Sequence, residues 1–282
     1  MKKLSFILLC CIGFVSQLAA QTSSTATPTL SIGSAVNLSG KQRMLSQRMA
    51  KTFVYMGMNI NAEAANKERT ASMILFEENL KALMGYAPTE KIKNLLAREE
   101  ALWKDYKKQI FAEVNQENAK AILASNTTIL TACDDVVKAY VEYSATLPKR
   151  EEEQKASFLQ IADNANISGR QRMLTQRLTF YYAAYVWGIT EPGTEVKLKG
   201  YADLIRQSYS KLITSEINTS DIDDELAATI GDWREVEERC TKDNCFTFDN
   251  KGMDVTQMYA VCATILKHMD KVTGMYAKLS EQ

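Results

Sequence analysis

Asn37-Leu38-Ser39-Gly40-Lys41-Gln42-Arg43-Met44-Leu45-Ser46-Gln47-Arg48-Met49 returns later in the same chain as Asn166-Ile167-Ser168-Gly169-Arg170-Gln171-Arg172-Met173-Leu174-Thr175-Gln176-Arg177-Leu178. Nine of the thirteen positions are identical between the two stretches. The other four exchange residues of like size and character: Leu for Ile, Lys for Arg, Ser for Thr, Met for Leu. This is an internal duplication, and a repeat of this kind sets the frame for every other segment.

Around the two copies the chain reads as helix. It has only 4 prolines and 12 glycines in 282 residues, and Ala, Leu, Met, Lys, Glu and Gln are abundant, which favours helices. Leu38, Leu45, Met49, Thr52 and Met56 recur at helical spacing and predict a first helix over 34–62. Met73, Phe76, Leu80 and Leu83/Met84 predict a second over 67–86. A third follows Pro88-Thr89 and runs to Phe111, with Ile92, Leu95/Leu96, Leu102/Trp103 and Tyr106 inward. A fourth spans 116–145 through Ile122, Leu130, Cys133, Val137 and Tyr140, and Thr146-Leu147-Pro148-Lys149 ends it.

The cycle then repeats over 152–189, 195–213, 220–240 and 253–279, with Ser220 and Asp223 as the start signal of the seventh helix. The expected fold is all-α: two tandem up-down-up-down four-helix bundles, 34–147 and 152–282. An even number of antiparallel helices returns the chain to its starting end. The second unit can therefore begin beside the first, side by side about a pseudo-two-fold. A continuous helix joining the units end to end is the alternative, and Pro148 speaks against it.

Residues 1–20 read as an export signal, with Lys2 and Lys3 before an apolar run from Leu4 to Val15 and small residues ahead of Gln21. That run is short for a membrane span. Residues 21–33 are Ser/Thr-rich and read as a disordered leader. The mature protein is thus expected to be soluble and periplasmic. Lys plus Arg balance Asp plus Glu at 34 each, which excludes a broad nucleic-acid surface.

Past the signal, four cysteines remain. Cys240 and Cys245 bracket a polar turn and form a candidate disulfide, adding roughly 2 kcal/mol. Cys133 and Cys262 are separated by the same interval as Asn37 and Asn166. They read as equivalent positions, either buried free thiols or a bridge across the two-fold. One lone His268 without a CxxC pair is a poor metal set, and no cofactor is implied. Nothing resembles a Ser/His/Asp or Cys/His constellation, so the chain does not read as an enzyme. Glu99-Glu100 and Glu151-Glu152-Glu153 read as solvated helix surface. Tyr181, Tyr182, Tyr185 and Trp187 read as core, or as an aromatic wall over a ligand.

Within each motif the chemistry sits on one face. Gly40, Arg43 and Gln47 align on a helix, as do Gly169, Arg172 and Gln176. A helix-interior glycine costs about 1 kcal/mol against alanine, so its presence in both copies points to a close approach. If the two motif helices pack together, Arg43 faces Arg172. Two guanidiniums near 4 Å repel by about 4 kcal/mol at an effective dielectric of 20, and a small planar oxyanion between them reverses that sign. The alternatives are arginines paired with a carboxylate of a neighbouring helix, and a protein-docking surface.

The motif resembles the signature of the PilJ-type sensor domain, the N-terminal periplasmic part of type IV pilus methyl-accepting chemotaxis transducers. That domain is related to the nitrate/nitrite sensor domain of NarX-type histidine kinases. The resemblance implies a four-helix sensor unit in which motif arginines from two subunits grip nitrate at a helix seam, helped by backbone near a motif glycine. The matching positions are Arg43 and Arg172 with Gly40 and Gly169, the family's dimer being fused into one chain. It also implies a signalling partner, either a membrane-bound sensor or a pilus-associated complex, because this chain carries neither a span nor an output domain after the bundle.

Overall fold

The computed structural model describes residues 30–147, 152–240 and 253–280. The expected export signal, most of the leader, Pro148, Glu151 and Cys245 lie outside them, as do the side chains of Glu152, Glu153 and Cys240.

The described residues form eight helices and no strand: α1 (Ile32–Gly57), α2 (Ala62–Tyr86), α3 (Glu90–Ile110), α4 (Gln116–Thr146), α5 (Glu152–Val186), α6 (Thr194–Ile213), α7 (Ser220–Cys240) and α8 (Val255–Leu279). Short polar side chains close the orphaned N–H groups at several starts. Ser31 caps α1, Thr89 caps α3, Asn115 caps α4 and Asp254 caps α8. At α7 the capping oxygen is that of Thr219, which accepts from Ile222 N. Expected at Ser220, the cap thus falls one residue earlier, matching Thr89 and Ile92 in the first half. Among the described residues no helix is long and apolar enough to cross a membrane.

Side-chain bonds show how the helices run. Gln42, Arg48 and Lys51 of α1 donate to Phe76 O, Ser72 Oγ and Glu68 Oε1 of α2, so the register falls on one helix as it rises on the other. Gln171 and Arg177 of α5 repeat this with Ile205 O and Tyr201 OH of α6. Between the halves the order is parallel. Asn37 meets Arg172, Gln47 meets Arg177, and Gly57 lies against Trp187. The two units therefore stand side by side about a pseudo-two-fold, with α1 and α5 as the central pair and one apolar core running through both halves.

Because α1 and α5 are enclosed by partners on several sides, their polar residues are buried with the apolar ones. Gln42, Arg43, Ser46, Gln47, Lys51 and Thr52 are all 1 % exposed or less. On the outer helices a single stripe faces inward, with Phe76, Leu80 and Leu83 of α2 buried and Met84 turned out.

The two halves depart from a uniform register. Gln42 and Gln171, with their acceptors Phe76 and Ile205, keep the interval of the motifs. Trp103 and Trp233 stand one residue further apart, and Tyr140/Tyr276 and Asp134/Asp270 seven further. The counterpart of Cys133 is therefore Met269, and that of Cys262 is Asn126. The sequence pairing of the two cysteines is off by that same shift of seven, which is two helical turns and so leaves both on an inward face. Both are buried and free.

Glu99 also departs from expectation. It is wholly buried between α1, α3 and α4, where it accepts from Gln42 Nε2 at 3.2 Å and lies 3.4 Å from Cys133 Sγ. Burial pushes its carboxyl up to about 7, with the Cys133 and Gln42 bonds partly opposing. Burial, and Glu99 next, push the Cys133 thiol well up in turn. His268, the lone histidine, meets Glu225 through Nδ1 at 2.5 Å.

Candidate functional site at the α1–α5 seam

The duplicated motifs meet. At the level of Gly40 and Gly169 the buried Arg43 and Arg172 side chains share one space between α1 and α5. A Cβ built on Gly40 would lie 3.5 Å from Arg172 Nη2 and 3.6 Å from Arg43 Nη2. One built on Gly169 would lie 3.4 Å from Arg43 Nη2 and 3.5 Å from Arg172 Nη2. Both Nη2 atoms thus converge over both glycines. These are ordinary contact distances, so what already occupies the seam leaves room for a methyl at either position.

Each guanidinium is held in the same way. Arg43 Nη1 donates to Asp134 Oδ1 of α4 at 2.8 Å, and its Nη2 crosses the seam to Asn166 Oδ1 at 3.0 Å. Arg172 Nη1 pairs with Asp270 of α8, and its Nη2 crosses to Asn37 Oδ1 at 3.0 Å. Each aspartate also meets a lysine, Lys138 at 2.8 Å from Asp134 and Lys41 at 3.5 Å from Asp270. Burial raises both carboxyl groups, but the arginine and lysine beside each outweigh it and hold them below the usual range. Burial in turn lowers both arginines, against the pull of their aspartates. Neither Arg43 Nε nor Arg172 Nε has a hydrogen-bond partner among the described residues.

Of the predicted site residues, Arg43, Arg172, Gly40 and Gly169 come together. Gln47 and Gln176 sit one turn along and serve a second layer. Gln47 Oε1 accepts from Arg177 Nη1 at 3.1 Å, while the Gln176 amide is bonded through neither atom among the described residues. Arg177 also donates to Asn126 Oδ1, Thr127 Oγ1 and the hydroxyls of Tyr201 and Tyr181. Tyr181 and Tyr182 are buried core residues. Four residues of the seam escaped the sequence reading. Asn37 and Asn166 stood in plain view, identical in both motifs. Asp134 and Asp270 are legible as a pair only once the register shift between the halves is known.

The seam thus gathers two cations, two carboxylates and neutral amide acceptors in one buried layer. Residues 26–129 match the family described as "Type IV pili methyl-accepting chemotaxis transducer N-term", PilJ. The match runs from before α1 into α4 and supports a PilJ-type sensor domain there, in keeping with a sensory role. No curated protein matches the chain, and no solved structure does.

Proposed function

We propose that the protein is an exported sensor-type binding module whose α1–α5 seam takes a small planar oxyanion, nitrate or nitrite first. The observation that carries this reading is the convergence of Arg43 Nη2 and Arg172 Nη2 over Gly40 and Gly169. A helix-interior glycine costs about 1 kcal/mol, and packing demands neither of these two. The space they leave lies over two cationic N–H donors. At those same donors the present acceptors are neutral amide oxygens, Asn166 Oδ1 and Asn37 Oδ1. An anion replaces a neutral acceptor there with a charge-assisted bond, about twice as strong, while Asp134 and Asp270 keep their hold on Nη1. Signal output then passes to a partner, a membrane-bound receptor or a pilus-associated complex.

Calorimetric titration of the mature protein with nitrate, nitrite and chloride tests this. Heat with nitrate or nitrite that disappears in Arg172→Gln, with the helical circular dichroism retained, supports it. Absence of heat with every small oxyanion sinks it.

A second reading draws on the aspartates. Each arginine already has a carboxylate, so the four charges sum to zero without a ligand. On that reading the seam is structural and the protein acts by docking to a receptor or pilus complex. Co-purification of a membrane partner that survives substitution of both arginines favours it.

A further inference from the structure

The two halves treat their second motif arginine differently. Arg48 and Arg177 occupy equivalent places, and each anchors Nε on an α2 or α6 hydroxyl, Ser72 at 2.7 Å and Tyr201 at 2.8 Å. Arg177 then turns its terminal nitrogens inward, to Asn126 and Gln47. At the position of Asn126 the other half has Cys262, which offers Arg48 no comparable acceptor. The terminal nitrogens of Arg48 make no hydrogen bond among the described residues. Arg48 lines a cleft of about 320 Å³ between α1, α2 and α8 instead.

That cleft carries Lys41, Arg48 and Lys267, with Glu68 and Asp270, and its wall includes Met44, Leu75 and Leu266. The two carboxylates already have their own buried cations. Glu68 is 3.1 Å from Lys51 Nζ and also accepts from the Tyr259 hydroxyl, and Asp270 is paired with Arg172. Arg48 Nε also lies 3.8 Å from Glu68, so with Lys51 and Arg172 counted five cations face two carboxylates around the opening, an excess of three positive charges. Lys267 makes no ion pair among the described residues, and Lys41 has only the long contact to Asp270. The cleft is at the small end of the size range of metabolite sites, and an apolar wall beside cations suits a carbon skeleton between charged ends.

We propose that this cleft is a second binding site, for a small organic dianion such as a dicarboxylate or a phosphate monoester. Arg48 provides the fork for one charged end, Lys41 and Lys267 hold the other, and Met44, Leu75 and Leu266 face the carbon chain. On this side Cys262 stands in place of Asn126, and Gln176 Oε1, the counterpart of Gln47 Oε1, accepts nothing among the described residues, so the end of Arg48 is not drawn inward as that of Arg177 is.

The test is calorimetric titration of the full mature chain with succinate, glycerol 3-phosphate and sulfate. Succinate or glycerol 3-phosphate binds more tightly than sulfate. Lys267→Gln weakens that binding roughly fivefold, the worth of one unit charge near 4 Å in water, and Lys41→Gln does so by a similar factor. Lys267 is exposed, so folding is not at stake in that variant. Arg43→Gln, which alters the seam and not the cleft, leaves organic-dianion binding intact, so failure of the seam reading and failure of this one are separable. No binding of either organic dianion overturns the proposal. So does binding that both lysine variants leave unchanged, and so does sulfate binding as tightly as succinate.

Discussion

Arg43 reaches across the seam to Asn166, with Nη2 3.0 Å from Oδ1, while its Nη1 stays on Asp134 of its own half. One guanidinium therefore bonds within its bundle through one nitrogen and between bundles through the other. Anything that loosens the Asp134 end leaves the charge seeking a partner at the seam.

Asp134→Asn removes that counter-charge from a wholly buried arginine. We expect a loss of about 3 kcal/mol in urea denaturation, the usual cost of leaving a buried charge unpaired. Nitrate then restores part of the loss and binds more tightly than to wild type, because the seam carries a net positive charge. Unchanged nitrate affinity in this variant, against a real loss of stability, would favour the purely structural seam.

The acid dependence follows from the same two aspartates. Their folded pKa values are depressed, so their stabilisation is fully present above the unfolded value near 4 and drains away as pH falls through the lower folded values. Stability measured from pH 5 down to pH 2 should fall, and the fall should be shallower in a protein carrying Asp134→Asn and Asp270→Asn together.

Glu99 acts in the opposite sense. Its folded value of about 7 lies above the unfolded one, so the folded state holds a proton that the unfolded state releases. Glu99 thus costs nothing in acid, and its penalty grows from about pH 4.5 to reach about 3 kcal/mol above pH 7. Glu99→Gln should stabilise the protein at pH 8, by about 1–3 kcal/mol, and have little effect at pH 5. Equal effects at the two pH values, in chemical denaturation, would show that the carboxyl is ionised throughout.

Much of the architecture was legible because it rests on periodicity. Phe76, Leu83, Leu96, Trp103 and Tyr140 mark single inward faces on the outer helices, and all are buried. Proline and capping signals placed the breaks within a few residues. The motif arginines and glycines were also legible as partners, since nine identical positions in two copies imply equivalent environments. What could not be read was the polar side of the core. Glu99 sits beside Glu100 in a charged run, and only the approach of Gln42 and Cys133 from other helices makes it an interior residue. Asp134 and Asp270 were hidden by the register change before α8, which a helix tolerates because a shift of seven returns it to nearly the same face.

Gly40→Ala separates the two meanings of the seam glycine. The added methyl meets nothing closer than 3.5 Å, so the helix gains the alanine propensity of about 1 kcal/mol. The melting temperature should rise by about 2–4 °C. The same methyl fills the space over both Nη2 atoms, so the nitrate response should vanish from a protein that has become more stable. A destabilised variant would instead mean that the helices close more tightly on Gly40 than the contact distances allow.

Arg177 and Arg48 test whether the halves have diverged as their hydrogen bonds indicate. Arg177→Ala strands Asn126 Oδ1 in a buried layer and takes the donor from Gln47 Oε1. Each such orphaned acceptor costs about 1–3 kcal/mol, so the loss in urea denaturation should be about 3 kcal/mol or more. Arg48→Ala removes one bond to Ser72 and a 3.8 Å contact with Glu68, and opens onto the cleft, where water replaces what is lost, so about 1 kcal/mol is expected. A second substitution, Asn126→Val, should hurt wild type yet be partly recovered in the Arg177→Ala background, because the orphaned amide is then gone. Additive costs in that cycle would mean that Arg177 contributes through packing alone, and equal costs for Arg177→Ala and Arg48→Ala would remove the asymmetry on which the cleft depends.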